Sequence, residues 1–162
     1  FRKSNETRPV GYVDADLGLC RSQTGYCFFY ANACVLAVSK VQRCITLSAC
    51  ESELVALSAA ACDGIWLRNL LAEIGKPMDN PTKIHCDNLA ARTVAHNPTS
   101  AKNLKHVARR HFFVQDLTKT REIVVPGVES KDNIADILTK LYDSPSHFEY
   151  LASKLRSWDA AT

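Results

Sequence analysis

Gly11-Tyr12-Val13-Asp14-Ala15-Asp16 is the stretch from which the fold is read outward. A β-forming apolar run that ends in an acid delivers a carboxylate to the mouth of a sheet. Three further acids stand in comparable settings. Glu53 opens a long helical pattern, Asp87 closes the run Ile84-His85-Cys86, and Asp136 lies inside Asn133-Ile134-Ala135-Asp136-Ile137-Leu138. If one fold gathers these four, they cannot all stay ionised without a cation, because like charges at close range raise one another's pKa.

The chain has 162 residues, which fits one domain able to bury most of the surface its unfolded form exposes. A hydrophobic share of 46% and a formal charge of +3 are ordinary for a globular chain and lean only mildly towards polyanionic partners. No run of about 18 apolar residues occurs, so no membrane span is expected. The chain starts at Phe1 and carries its one methionine at position 78, and the expectation is a piece excised from a longer polypeptide, in which no targeting segment can be read. Seven cysteines, an odd number without a C-x-x-C pair, argue against a structural zinc site and a disulfide framework. They read as small buried hydrophobes in a reducing compartment.

Residues 1–9 are polar and charged and read as a lead-in or linker; residues 10–142 read as the domain proper, and 143–162 as a C-terminal helix and tail. Residues 10–13, 26–30 and 35–38 are β-rich runs separated by turn chemistry, which predicts an antiparallel meander. At Ser48 the period changes. Ser48-Ala49-Cys50-Glu51 has the form of a capping box, and Ala56, Leu57, Ala60, Gly64, Leu67 and Leu71 then recur at helical spacing until Gly75-Lys76-Pro77. Glu51 and Glu53 point to nearly opposite sides of such a helix. Glu53 shares the apolar stripe and is the acid expected on the buried side, where a partner such as a metal must compensate it; Glu51 is the cap.

Residues 83–86 predict a central strand that places Asp87 at its carboxyl end, where open α/β sheets gather ligands. A short helix over 89–96, a second over 104–118 and a strand over 122–125 follow. Asp132 is expected to cap a helix carrying Ile134, Leu138 and Leu141, and residues 146–158 form an amphipathic helix with Phe148, Leu151, Leu155 and Trp158. Each acid also has a plain structural reading. Asp16 shares a strand face with Asp14 and could serve in its place, Asp136 suits the dipole of a helix start, and Asp87 could simply begin a turn with Asn88.

The order β-β-β-α-β-α-α-β-α, with acids in the order Asp, Glu, Asp, Asp, resembles the ribonuclease H domain of copia-type LTR retrotransposon Pol polyproteins. The resemblance is carried by Val13-Asp14-Ala15-Asp16, Arg21-Ser22-Gln23-Thr24-Gly25-Tyr26, Ser39-Lys40-Val41-Gln42, Leu47-Ser48-Ala49-Cys50-Glu51-Ser52-Glu53-Leu54 and Cys86-Asp87-Asn88. Asn97-Pro98, Lys105-His106-Val107, His111-Phe112 and Ala135-Asp136-Ile137-Leu138-Thr139-Lys140 continue it in family order. Leu17 stands where the family usually has an aromatic, Ala37 where it has tryptophan, and Val41 where lysine is frequent.

The resemblance implies an α/β ribonuclease H-like fold: a five-stranded mixed sheet, an antiparallel meander plus parallel strands, with helices on both faces. It implies cleavage of the RNA strand of an RNA–DNA hybrid during reverse transcription, with Asp14, Glu53, Asp87 and Asp136 as catalytic metal-binding carboxylates. Two Mg²⁺ ions, replaceable by Mn²⁺, would serve the in-line displacement. An upstream reverse transcriptase domain of the same polyprotein is the implied partner, no membrane is involved, and the implied location is cytoplasmic, within virus-like particles.

Between residues 101 and 121, Lys102, Lys105, Arg109, Arg110, Lys119 and Arg121 face the single acid Asp116, a candidate surface for tracking phosphates. Candidate substrate-binding residues are Arg21, Lys40, Gln42, Ser48, Asn88, Lys105, His106 and Arg109, with Ser48 equally explained as a cap. An integrase-type core would lack the helix-borne Glu53, and a proofreading exonuclease would carry Asp-x-Glu in place of Asp14-x-Asp16. A non-catalytic module that grips a hybrid or tethers a polymerase is the alternative from another class.

Overall fold

The computed structural model describes residues 8–97, 108–142 and 145–156. Five strands, β1 (Val10–Asp16), β2 (Gln23–Tyr30), β3 (Ala33–Val41), β4 (Thr82–Cys86) and β5 (Ile123–Val124), form one sheet in the order β3-β2-β1-β4-β5. β1, β2 and β3 pair antiparallel, whereas β4 lies parallel to β1 and β5 parallel to β4. This is the expected five-stranded mixed sheet. β2 and β3 run longer than the sequence predicted, because polar positions such as Gln23, Ser39 and Lys40 are paired in the ladder although they interrupt the apolar run.

Alternation along each strand sends side chains to two cores. On one face Val13, Tyr26, Phe28 and Ile84 meet Leu54, Leu57, Ala60 and Ala61 of helix α1 (Ala49–Glu73). Ala91, Val94 and Ala95 of α2 (Leu89–His96), with Val114 and Leu117 of α3 (Ala108–Lys119), close this core. On the other face Val10, Cys27 and Phe29 meet Ile134, with Tyr12, Leu138 and Leu155 packed around them. Leu155 belongs to helix α4 (Pro145–Arg156), whose Leu151 is fully buried.

The predicted apolar stripe of α1 is buried throughout: Ala56, Leu57, Ala60, Gly64, Leu67 and Leu71 all face inward. By length and composition this 25-residue helix is apolar enough to cross a bilayer, a property that buried core helices share. Ser48 caps it as predicted, its Oγ accepting from the Glu51 amide at 3.3 Å. Glu51 reaches one residue further back than a standard capping box: its Oε2 accepts from the Leu47 amide at 2.6 Å. That bond lets Glu51 be buried as well as Glu53, so the two acids are not divided between an exposed and a buried side.

The helix expected from Asp132 is absent. Two 3₁₀ turns stand there, Ser130–Asp132 and Ile134–Leu138, separated by Asn133 in an extended conformation. Asn133 rather than Asp132 is the cap, its Oδ1 accepting from the Ala135 amide at 3.3 Å. The second turn ends at Leu138, and Leu141 is fully exposed rather than part of an apolar stripe. Phe148 of α4 is likewise exposed, and Trp158 lies outside the described residues. All seven cysteines are free thiols, but only Cys27 and Cys86 are buried, so the reading of them as core residues holds for two.

Candidate active site

The carboxyl ends of β1 and β4 bring together Asp14, Glu53, Asp87 and Asp136. One carboxylate oxygen from each of Asp14, Asp87 and Asp136 lies within 4.8 Å of the others. Ligand atoms of Glu53, Cys86 and Asp87 stand within the same 4.8 Å of one another. Asp87 is common to both groups, so the four acids form two adjoining clusters with a shared member. Asp14 is buried among them, whereas Asp16, two residues on, is exposed at the strand end.

Each acid reaches the centre by a different route. Asp14 faces the same side of the sheet as its ladder partner Gly25, beneath the turn Ile134–Leu138. That close approach needs glycine: a Cβ at position 25 would stand 2.8 Å from Leu138 Cβ and 3.0 Å from the Ala135 carbonyl oxygen. Glu53 arrives from the opposite face on the second turn of α1, and its Oε1 accepts from the Ala15 amide at 3.1 Å. Asp136 is delivered by the turn, which Asn133 fastens to β1 by donating from Nδ2 to the Val13 carbonyl at 3.0 Å. Ser39 Oγ adds a second tether by donating to the Leu138 carbonyl at 2.6 Å.

Crowding and burial set the electrostatics. Burial, reinforced by Asp14 and Asp87, pushes the Glu53 carboxyl up to about 8 against the pull of the Ala15 amide and Lys140. Burial likewise pushes Asp136 up to about 7, with Asp14 and Asp87 adding to the rise and Lys140 opposing it. Lys140 Nζ donates to Asp136 Oδ2 at 2.7 Å and stands 3.5 Å from Asp14 Oδ1. Thr139 Oγ1 donates to Asp14 Oδ2. Asp136 Oδ1 is buried without a hydrogen-bond partner among the described residues. Cys86 Sγ donates to Glu53 Oε2 at 3.8 Å, and burial followed by that acid holds its thiol well above the usual range. Hard divalent cations take oxygen donors, so the carboxylates rather than the thiol suit them.

The other sequence candidates among the described residues do not converge on this centre. Arg21 is exposed in the loop between β1 and β2. Gln42 is buried, and its Nε2 is used by Thr24 Oγ1 at 3.0 Å and the Ser52 carbonyl at 2.9 Å, so it holds β2 to α1. Asn88 Oδ1 caps α2 by accepting from the Ala91 amide at 3.0 Å. Lys40 donates to Tyr26 Oη at 3.3 Å, and that hydroxyl donates to Asp63 at 2.6 Å. Lys40, Arg43 and Arg110 border a cavity of about 340 Å³ between the end of β3 and α1. Arg109 is exposed on α3; Lys105, His106 and the side chain of His111 lie outside the described residues.

Thr139, Lys140 and Asn133 were present in the quoted motifs but carried no assigned role, since each has a partner in β1, far away in sequence. Tyr142 had no signal at all. Its hydroxyl is buried without a partner among the described residues, and burial followed by Asp136 pushes it up to about 12.

No protein-family model matches the chain. It is 29% identical over 135 residues to the retrovirus-related Pol polyprotein from transposon TNT 1-94 of Nicotiana tabacum, covering 81% of this chain and 10% of that protein. It is 28% identical over 159 residues to the retrovirus-related Pol polyprotein from transposon RE1 of Arabidopsis thaliana, covering 96% of this chain and 11% of that one. The chain therefore spans about a tenth of these relatives. Among solved structures, an RNase H1 isolated from compost by a metagenomic approach superposes with a TM-score of 0.65 at 16% identity, over 82% of this chain and 93% of that one. The foamy viral protease-reverse transcriptase in complex with RNA/DNA hybrid matches with a TM-score of 0.55 at 18% identity, over 83% of this chain and 20% of that one. The chain is thus similar over most of its length to the retrovirus-related Pol polyproteins of plant transposons, and it has the ribonuclease H fold.

Proposed function

We propose that this chain is the ribonuclease H domain of a retrotransposon polyprotein and hydrolyses the RNA strand of RNA–DNA hybrids in a metal-dependent reaction. The observation that carries this reading is the meeting of Asp14, Glu53, Asp87 and Asp136 from four separate segments in two clusters that share Asp87. Burial and mutual repulsion raise the Glu53 and Asp136 carboxyls, a cost that a bound cation would relieve.

The residues fit hard divalent cations. Asp136 Oδ1 is an unpartnered buried acceptor, and the Asp14, Asp87 and Asp136 group offers oxygen donors alone. Mg²⁺, or Mn²⁺ in its place, would be held by Asp14, Asp87 and Asp136 on one side and by Glu53 and Asp87 on the other. Bound there, two such ions supply the charge that activates an attacking water and stabilises the leaving 3′ oxygen.

The chain's own groups then orient the ligands. Thr139 fixes Asp14, the Ala15 amide fixes Glu53, and Lys140 bridges Asp136 and Asp14. Lys40, Arg43 and Arg110 offer positive charge for the sugar–phosphate backbone beyond the centre. The relatives are polyproteins about ten times longer, which supports an upstream polymerase portion as the covalent partner.

The test is incubation of the chain with a labelled RNA–DNA hybrid, duplex DNA and single-stranded RNA in Mg²⁺. The expected outcome is loss of the RNA strand of the hybrid alone, with 3′-hydroxyl ends. Binding of the hybrid without cleavage in either Mg²⁺ or Mn²⁺ would instead support a tethering role.

A further inference from the structure

Arg92 is a half-buried arginine whose guanidinium makes no hydrogen bond or ion pair among the described residues, and its Nε is buried without a partner. Burying such a group without an acceptor is costly, and native chains avoid it unless something else supplies the acceptor. Its place in the fold says what that acceptor would be. Arg92 lies one helical turn beyond the Asn88 cap of α2, its amide donating to the Asn88 carbonyl at 3.1 Å, and five positions beyond Asp87.

The side chain lies across Gly127, in the segment that follows β5. A Cβ on Gly127 would stand 1.9 Å from Arg92 Nη1 and 2.7 Å from Cζ, so the guanidinium fills the space another side chain would need. Gly127 has no positive φ, so the arginine rather than the backbone favours glycine there. Gly127 in turn bridges Cys86, the residue before Asp87. An unpaired planar cation is therefore held on the β5 side of the carboxylate centre, along the same carboxyl edge of the sheet. A planar guanidinium matches the paired oxygens of a phosphodiester better than any other side chain does.

We propose that Arg92, seated on Gly127, is a phosphate-binding residue that grips the RNA strand next to the phosphodiester held at the carboxylates. This rests on the ribonuclease H reading above. The four acids repel the polyanionic backbone they must approach, and a cation seated over Gly127, which bridges Cys86, offsets part of that repulsion. It also sets the register of the strand.

The test is equilibrium binding of a fluorescent RNA–DNA hybrid in Ca²⁺ over a KCl series, with cleavage in Mg²⁺ scored separately, for the native chain, R92Q, R92K and G127A. Losing one charge-assisted contact is expected to weaken binding of R92Q by roughly 10-fold or more. The slope of log K against log[KCl] should become shallower by about 0.7–0.9, the amount expected for one phosphate. R92K should retain the slope and recover part of the affinity. G127A, whose Cβ displaces the flexible end of Arg92, should unfold at the native temperature yet bind as weakly as R92Q. Native affinity and native slope in R92Q would overturn the proposal. A native chain that neither binds nor cleaves the hybrid would instead overturn the functional reading, which keeps the two failures distinct.

Discussion

Asn133, fully buried, donates from its side-chain nitrogen to the Val13 carbonyl at 3.0 Å across 120 positions of sequence. The same side chain caps the following turn through the Ala135 amide. One residue therefore fixes the segment bearing Asp136 to the strand bearing Asp14, and the separation of those two carboxylates depends on it.

Asn133→Ala should cost about 2–4 kcal/mol, because it leaves a buried carbonyl and an amide unsatisfied. Urea denaturation of the metal-free chain checks the loss of stability. The midpoint should fall with little change in the slope, and Mn²⁺ affinity should fall with it.

Gly25→Ala attacks the same junction from the sheet. Its Cβ would meet Thr139 Cγ2 at 2.6 Å and the Ala135 carbonyl oxygen at 3.0 Å, so the turn must lift away from β2. A loss of about 1–3 kcal/mol is expected from overpacking. Because Thr139 holds Asp14, Mn²⁺ affinity measured by calorimetry should weaken more than the change in stability alone would suggest.

Metal-free stability should depend on pH through Glu53 and Asp136. Both carboxyls are raised in the folded chain, from 4.5 to about 8 and from 3.8 to about 7. The folded state therefore holds protons that the unfolded state has released, so stability is greatest below the ordinary values and declines as pH rises towards 7 and 8. Above about 8 the decline should level off. Thermal unfolding in EDTA between pH 5 and 9 checks this. Glu53→Gln should flatten the curve and unfold several degrees above the native chain at pH 8, on the order of 3–6 °C for a domain of this size. In Mn²⁺ the ranking should reverse, since the native chain gains a ligand that the variant lacks.

Much of the framework was legible because it is written in local periods. The acid-terminated run of β1, the stripe Ala56, Leu57, Ala60, Gly64, Leu67 and Leu71, and the Ser48 cap all express geometry within a few residues. The turn carrying Asp136 was not legible. Its sequence resembles a helix, and what breaks the helix is the bond from Asn133 to a strand 120 positions away. The packing of Gln42 was hidden for the same reason: its polar side chain looks available until Thr24 and Ser52 are brought against it. Asp14 and Asp16 were indistinguishable by alternation, and only the turn above Gly25 buries one of them. Arg92 carried no signal because Gly127, over which it lies, is 35 positions away.

The most direct measurement is the number of Mn²⁺ ions bound, with their affinities, for the native chain and for Asp87→Asn. Asp87 belongs to both carboxylate clusters, and one substitution should therefore weaken every ion at the centre. The expected result is two ions in the native chain and a loss of about 10-fold or more in affinity for both in Asp87→Asn, together with loss of RNA-strand cleavage. Two ions bound by Asp87→Asn with native affinity would contradict the assignment of this centre.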